Sequence, residues 1–267
     1  MTDLGRVTVA GTGLTISRIG FGAARLAGGS ELRASRALVE QALKCGISHF
    51  DTAPTYGDGA SEAVLGEVLA GVKGVTITTK VGFERPTTTP QASPARLLYR
   101  KIAKPLLTHL PALKARLQRP EPPRAFIGDI PLHRDFVLKS LDQSERLLRR
   151  PADILLLHEP GRYMVDDELL HLFEELMASG RIMAYGTGTG EPEPPVALGQ
   201  VVQARWQAGA PAPSIGQLAI WHGVLRGSRS VKEAAMRMAS AMNYQPQAAF
   251  LVSASSPHQL RSLIPGT

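Results

Sequence analysis

Cysteine occurs once in 267 residues, as Cys45, so no internal disulfide can form. Its place among Leu38, Val39, Ala42 and Leu43, at helical spacing, makes it a buried helix residue rather than a reactive thiol. No run of about 18 consecutive apolar residues occurs, and the amino terminus lacks a basic segment followed by an apolar stretch. The expectation is a cytoplasmic chain with no membrane span and no export signal. Aromatic residues make up only 5% of the chain, which gives base stacking little support even though the formal charge is +7. That charge is concentrated between Arg85 and Arg150, in Arg96, Arg100, Lys101, Lys104, Lys114, Arg116, Arg119 and Arg124. Without a helix-turn-helix pattern it predicts a solvated basic face, an anionic substrate or a protein partner rather than nucleic acid. No histidine or cysteine pair has zinc-ligand spacing, so no metal is predicted. No Gly-x-Gly-x-x-Gly opens a helix after a strand, which argues against a separate Rossmann domain.

What is present is a 43% hydrophobic chain arranged in alternating strand and helix patterns. Arg6 to Val9 and Leu14 to Ser17, joined through Gly11-Thr12-Gly13, read as a hairpin that plugs the bottom of a barrel. Strands follow at Ile19 to Gly22, His49 to Ala53, Val75 to Val81, Ile154 to His158, Ile182 to Tyr185, Ile215 to Ile220 and Ala249 to Ser253. Helices are expected at Ser30 to Cys45, Ser61 to Leu69, Leu138 to Leu148, Glu168 to Ala178, Val196 to Trp206 and Val231 to Met242. A single (β/α)8 barrel uses about 250 residues and places its ligand site at the carboxyl ends of the strands. The seven strands counted leave the barrel one strand and helix unit short. An excursion from Phe83 to about Pro131, rich in proline and threonine at both ends, interrupts the alternation. It is either a lid or substrate wall on the catalytic face or a surface loop.

Three of those strands deliver ionisable groups at their carboxyl ends. Asp51 and Tyr56 lie in Phe50-Asp51-Thr52-Ala53-Pro54-Thr55-Tyr56-Gly57, which runs on to Ser61-Glu62-Ala63-Val64-Leu65-Gly66. Lys80 ends Thr78-Thr79-Lys80, and His158 ends Asp153-Ile154-Leu155-Leu156-Leu157-His158. Singly, each has an ordinary explanation as a turn cap, a packed ring, a strand end or an interior histidine. Together, in this order and at strand ends, they form a candidate catalytic cluster. A phenol has a pKa near ~10, and a lysine about 4 Å away favours phenolate by ~4 kcal/mol at an effective dielectric of 20, before desolvation. The expectation is therefore a tyrosine made more acidic by its neighbour. The other histidines, His49, His109, His133, His171, His222 and His258, lack comparable context.

At these residues the chain resembles the aldo-keto reductases, whose pattern is Asp-Thr-Ala-x-x-Tyr-Gly followed by a strand-ending Lys and a strand-ending His. The resemblance runs from the opening hairpin to Leu260 and is specific mainly around Asp51 to Gly66, Lys80 and His158. It implies an aldo-keto reductase barrel over residues 1–267, and NADPH-dependent reduction of a small carbonyl compound. In that scheme Tyr56 is the proton donor, Lys80 and Asp51 tune it, and His158 faces the substrate oxygen. It also implies cofactor contacts from Gly22, Asp51, Gly188, Thr189, Gln217, Ser253, Ser255, Ser256 and Gln259.

The pattern departs from the family in several places. Gly186-Thr187-Gly188-Thr189 replaces the usual Gly-x-Ser-Asn, no basic residue stands near Gln259, and only Trp221 to Arg229 separates one strand from the next helix. The nicotinamide stack falls to Trp221, with core packing as its alternative. With the chain stopping soon after Leu263, no extended carboxyl-terminal substrate loop is expected. These departures leave open a cofactor-independent lyase, isomerase or dehydratase that reuses the Tyr56, Lys80 and His158 cluster, and a silent binding subunit. Substrate, direction, NADP against NAD, and oligomeric state are not encoded in these residues.

Overall fold

A computed structural model describes residues 4–86, 132–162, 165–193, 198–211, 214 and 216–264. Most of the basic excursion, residues 87–131, lies outside the described residues, as do its expected helix and its proposed wall.

The hairpin pairs β1 (Arg6–Thr8) with β2 (Thr15–Ser17) in antiparallel register. Eight parallel strands then close into a ring: β3 (Ile19–Gly22), β4 (His49–Asp51), β5 (Thr76–Val81), β6 (Ile154–His158), β7 (Ala184–Gly188), β8 (Val201–Arg205), β9 (Leu218–His222) and β10 (Ala249–Val252). Closure comes from β10 pairing with β3, where Phe250 opposes Ile19 and Val252 opposes Phe21. The helices are α1 (Leu32–Lys44), α2 (Ser61–Leu69), α3 (Arg134–Leu148), α4 (Asp167–Ala178), α5 (Val231–Tyr244) and α6 (Pro257–Leu263).

The ring is complete, which corrects the count of seven strands. The missed strand is β8, within the segment read as a helix from Val196 to Trp206. A strand buried on both faces presents a continuous apolar run, and the spacing of Leu198, Val201, Val202 and Trp206 fits either period. What the described residues lack is a helix after β7 and after β8. In the gap after β8, Trp206 packs edge-on against Trp221, Phe250 and Tyr244, with centroids 5.4, 5.7 and 6.1 Å away. Aromatic surface thus covers sheet that a helix would otherwise cover.

Strand alternation divides the core in two. Outward-facing Phe21, Phe50, Ile77, Leu155, Leu157 and Phe250 pack with helix residues such as Val39, Leu65, Val137 and Phe173. Inward-facing Ile154, Leu156, Val201, Ile220 and Leu251 join Val7, Val9, Leu14 and Ile16 of the hairpin, so the hairpin does plug the ring. Truncating fully buried Phe50 to alanine would cost about 3–5 kcal/mol. Cys45 is buried at the end of α1, where the Gln41 amide donates to its sulfur at 3.3 Å.

Helix α2 is locked to the strands that carry the candidate chemistry. The Ser61 hydroxyl donates to the Ala23 carbonyl at 3.0 Å and lies 2.9 Å from the Thr52 hydroxyl. Buried Glu62 accepts from the Thr79 hydroxyl at 2.6 Å and pairs with Arg85 at 2.5 Å. The turn before α2 depends on Gly57, whose φ is +60°, and an added Cβ there would meet the Leu26 carbonyl oxygen at 1.7 Å. Only glycine permits that approach, and it fixes the direction of the preceding Tyr56.

Candidate active site

Period-two alternation sends His49 and Asp51 of β4, Lys80 of β5 and His158 of β6 toward the barrel axis. The Lys80 ammonium donates to Asp51 Oδ2 at 2.7 Å and to the Thr52 carbonyl at 2.9 Å. Both side chains are almost sealed, with Lys80 1% and Asp51 3% exposed, so each ion needs the other. Tyr56 leans over them from the turn, its ring centroid 4.8 Å from Lys80 Nζ. The His158 ring meets the Tyr56 ring edge-on at 5.9 Å and 86°, and the Phe83 ring also meets it edge-on at 4.8 Å. All four residues of the expected cluster are therefore brought together.

Their electrostatics differ from the expectation in one respect. Burial raises Tyr56 above the ordinary phenol range, Lys80 opposes this, and the net direction is upward. The ammonium's pull is blunted because its charge is already paired with Asp51 at 2.7 Å. Burial acts to lower Lys80, but the charge of Asp51, and then Tyr56, hold it above the usual lysine value. At neutral pH the site holds a charged lysine beneath a protonated phenol, not a phenol made more acidic.

Above them opens a cavity of ≈ 760 Å³ at the carboxyl ends of the strands. Gly22, Asp51, Tyr56, His158, Gly188, Thr189, Ser253 and Gln259 all line it. At Gly22 an added Cβ would come 2.9 Å from Ser253 Oγ, and at Gly188 one would come 3.2 Å from Gln203 Oε1, so the missing side chains keep the floor open. Three expected contacts are placed elsewhere. Gln217 precedes β9 at its amino end, where its amide donates to the Gly199 carbonyl at 3.0 Å, far from the strands' carboxyl ends. Ser256 caps α6 by accepting from Gln259 N at 3.1 Å. Ser255 donates to Gln259 Oε1 through both its amide and its hydroxyl, at 2.8 Å each. Neither serine is among the residues lining the cavity.

The glutamine at the site is Gln203, inward on β8, whose amide donates to Asp51 Oδ2 at 2.7 Å. It was missed because β8 was read as a helix; alternation along Val201-Val202-Gln203 would have placed it. Likewise Trp221 faces outward, donating from Nε1 to Gln245 at 2.7 Å, while its neighbour His222 points inward and lines the cavity. His222 Nε2 lies 2.9 Å from the Thr189 carbonyl oxygen, and burial lowers its pKa, favouring a neutral ring. Glu159, after His158, was not singled out. The loop 223–230, although short, also reaches the cavity. Arg226 and Arg229 from that loop, with Arg25 from beyond β3, line it with no side-chain partner among the described residues. Among the described residues there is no cluster of three or more metal-ligating side chains, and no helix long and apolar enough to cross a membrane.

The barrel, its plug and this arrangement of four polar side chains define the class. Residues 18–194 match the family model described as the Aldo/keto reductase family, and the chain belongs to that family. It is 31% identical over 211 residues to a pyridoxal 4-dehydrogenase of Microbacterium luteolum, covering 67% of this chain and 54% of that protein. It is 29% identical over 205 residues to a D-threo-aldose 1-dehydrogenase of a Pseudomonas species, covering 67% and 52%. The match thus spans about half the length of these curated relatives. Among solved structures, an aldo-keto reductase from Bacillus halodurans in its holo form superposes with a TM-score of 0.66 at 18% identity, covering 98% of this chain and 90% of that one. A glycerol dehydrogenase from Gluconobacter oxydans gives 0.61 at 18% identity, covering 100% and 91%. At such identities the structural likeness speaks to the fold.

Proposed function

We propose that the protein is an NADPH-dependent oxidoreductase that reduces a small aldehyde or ketone, with Tyr56 as the proton donor. The observation that carries this reading is the protonated Tyr56 phenol, its ring beside the charged Lys80 and open to the cavity. The relatives named for pyridoxal and for an aldose support a small carbonyl compound or its alcohol as substrate.

The residues present suit a dinucleotide. The guanidinium groups of Arg25, Arg226 and Arg229, without side-chain partners among the described residues, offer positive charge to phosphates, and Gly22 and Gly188 leave room for close approach. Gln203 and Thr189, with Ser253 and Gln259 across the cavity, would hold the ligand, and His222 takes the inward aromatic position that Trp221 was expected to fill. When bound, NADPH supplies the hydride that the protein's own side chains cannot.

The chain's residues handle the proton. A carbonyl oxygen placed between Tyr56 and His158 would accept hydrogen bonds from both, which strengthen as negative charge develops on it. Tyr56 delivers its proton to that oxygen. Lys80, held charged by Asp51, stabilises the phenolate left behind, so the interaction grows along the reaction rather than before it. Gln203 fixes Asp51 from the opposite wall and keeps the carboxylate aimed at the lysine.

Titrating the protein with NADPH while following nicotinamide fluorescence tests the reading. A saturable change is expected, together with turnover of a small aldehyde. The rival lyase, isomerase or dehydratase, which the lack of a basic residue near Gln259 motivates, would give no saturable change and would act on its substrate without dinucleotide.

A further inference from the structure

Glu159 is a carboxylate held in the cavity wall at a cost. Among the described residues it is one of three non-glycine positions with positive φ, at +58°, a conformation that costs an L-residue on the order of 1 kcal/mol. Its amide donates to the Gly188 carbonyl at 2.7 Å, continuing the β6 and β7 pairing past His158. Its side chain then turns to accept from the Thr189 hydroxyl at 2.7 Å and from the Gly190 amide at 2.7 Å. Both donors are neutral, and Glu159 forms no ion pair with a cation of the described residues. Arg205, the nearby cation, is engaged by the Gly190 carbonyl and Glu191. The negative charge is therefore oriented but not cancelled, and its field reaches both Tyr56 and His222 across the cavity.

Glu159, Thr189, Gly190 and His222 line the same cavity as Tyr56 and His158. On the proposed function a hydride donor would be held in this cavity beside Tyr56 and His158, where the Glu159 carboxylate lines the wall against Thr189 and Gly190. We infer that Glu159 is a charge selector at the nicotinamide end of the cavity, favouring the cationic oxidised ring over the neutral reduced one. This rests on the proposed function. Glu159 would act on the reduction by stabilising the positive charge left on the ring as hydride passes to the carbonyl carbon, while the carbonyl π pair moves to oxygen and takes the proton from Tyr56. Its field is worth more as that charge develops than in the ground state, which is the condition for accelerating the step.

The experiment measures the dissociation constants of NADP+ and NADPH, with NAD+ and NADH as a second pair, by calorimetry and fluorescence. Wild type is compared with Glu159→Gln, which keeps the shape and removes the charge, and with Glu159→Asp, which keeps the charge; thermal melting of each monitors folding. Glu159→Gln should weaken binding of the oxidised form about tenfold and of the reduced form by less than about threefold, as expected for one unit charge across a partly solvated cavity. Glu159→Asp should retain most of the wild-type ratio. Equal weakening of both forms by Glu159→Gln would reduce Glu159 to a brace for the Thr189 turn and overturn the inference. If Glu159→Gln does not fold, loss of the wild-type ratio in Glu159→Asp overturns it and retention supports it. Failure of wild type to bind either pair would refute the proposed function, and this inference with it, whereas binding without a charge-dependent ratio refutes the inference alone.

Discussion

The mouth of the barrel has two halves built in different ways. Along β4 to β6, four side chains of fixed type converge, with Lys80 bonded to Asp51 at 2.7 Å and the Tyr56 ring 4.8 Å from its ammonium. Along β7 to β10 the wall is made of glycines, a threonine tied to Glu159, a glutamine, a histidine and a loop with two arginines. On the proposed reading the first half moves a proton, which demands particular groups with particular acidities and so admits little substitution of type. Holding a large anionic ligand demands space, donors and positive charge, which many residues supply. Departures from the family pattern accordingly gather in the second half, and the two halves meet at Asp51, which takes donors from both Lys80 and Gln203.

Perturbing the first half should have the larger effect. Lys80→Met removes the ammonium and leaves Asp51 buried without its counter-ion; we expect kcat/KM to fall by at least about 10³ and stability to drop by about 3–5 kcal/mol, read by steady-state kinetics and urea unfolding. An equal loss from a substitution in loop 223–230 would erase the distinction between the halves.

One layer deeper, His49 is sealed between the Thr76 hydroxyl at 2.9 Å and the Thr78 hydroxyl at 3.4 Å, and burial lowers its pKa to about 4. Because the unfolded chain takes up this proton near pH 6.5 and the folded one only near 4, the stability from a neutral His49 is full above about pH 6.5 and is lost as pH falls toward 4. Its size is about 3 kcal/mol across that window. His49→Gln should flatten this part of the acid limb in urea unfolding at pH 7 and pH 4; an unchanged limb would show that the layer beneath the site does not titrate in this way.

The second half is sharpened by two glutamines. Gln203→Leu should weaken NADPH binding about tenfold, since it removes a donor to Asp51 and a polar wall group. Gln217→Leu, which affects only the contact to the Gly199 carbonyl, should change it less than twofold. The reverse order in fluorescence titrations would return the role to Gln217 and refute the placement of Gln203.

Those two residues also show where sequence stopped being readable. The quartet was legible because Asp51, Lys80 and His158 each end an apolar strand bounded by turn signals, so the period-two rule alone aims them at one mouth. Gln203 was hidden by the double burial of β8, which imitates a helix, and the same misreading left the ring one strand short. Trp221 drew attention as an aromatic, but alternation from Leu218 and Ile220 puts His222 on the inner face. The direction of the Tyr56 shift was beyond sequence because it depends on how much of the Lys80 charge Asp51 has already spoken for. Glu159 was invisible for another reason: nothing in a residue's type announces a left-handed backbone that swings its carboxylate onto a neighbouring turn.

The central claim, that the buried phenol supplies the proton beside a bound hydride donor, is tested most directly by Tyr56→Phe. That variant keeps the ring and its packing and removes only the hydroxyl. Carbonyl reduction should fall by at least about 10³ in kcat while the NADPH dissociation constant stays within about twofold of wild type. Undiminished turnover in Tyr56→Phe would contradict the account.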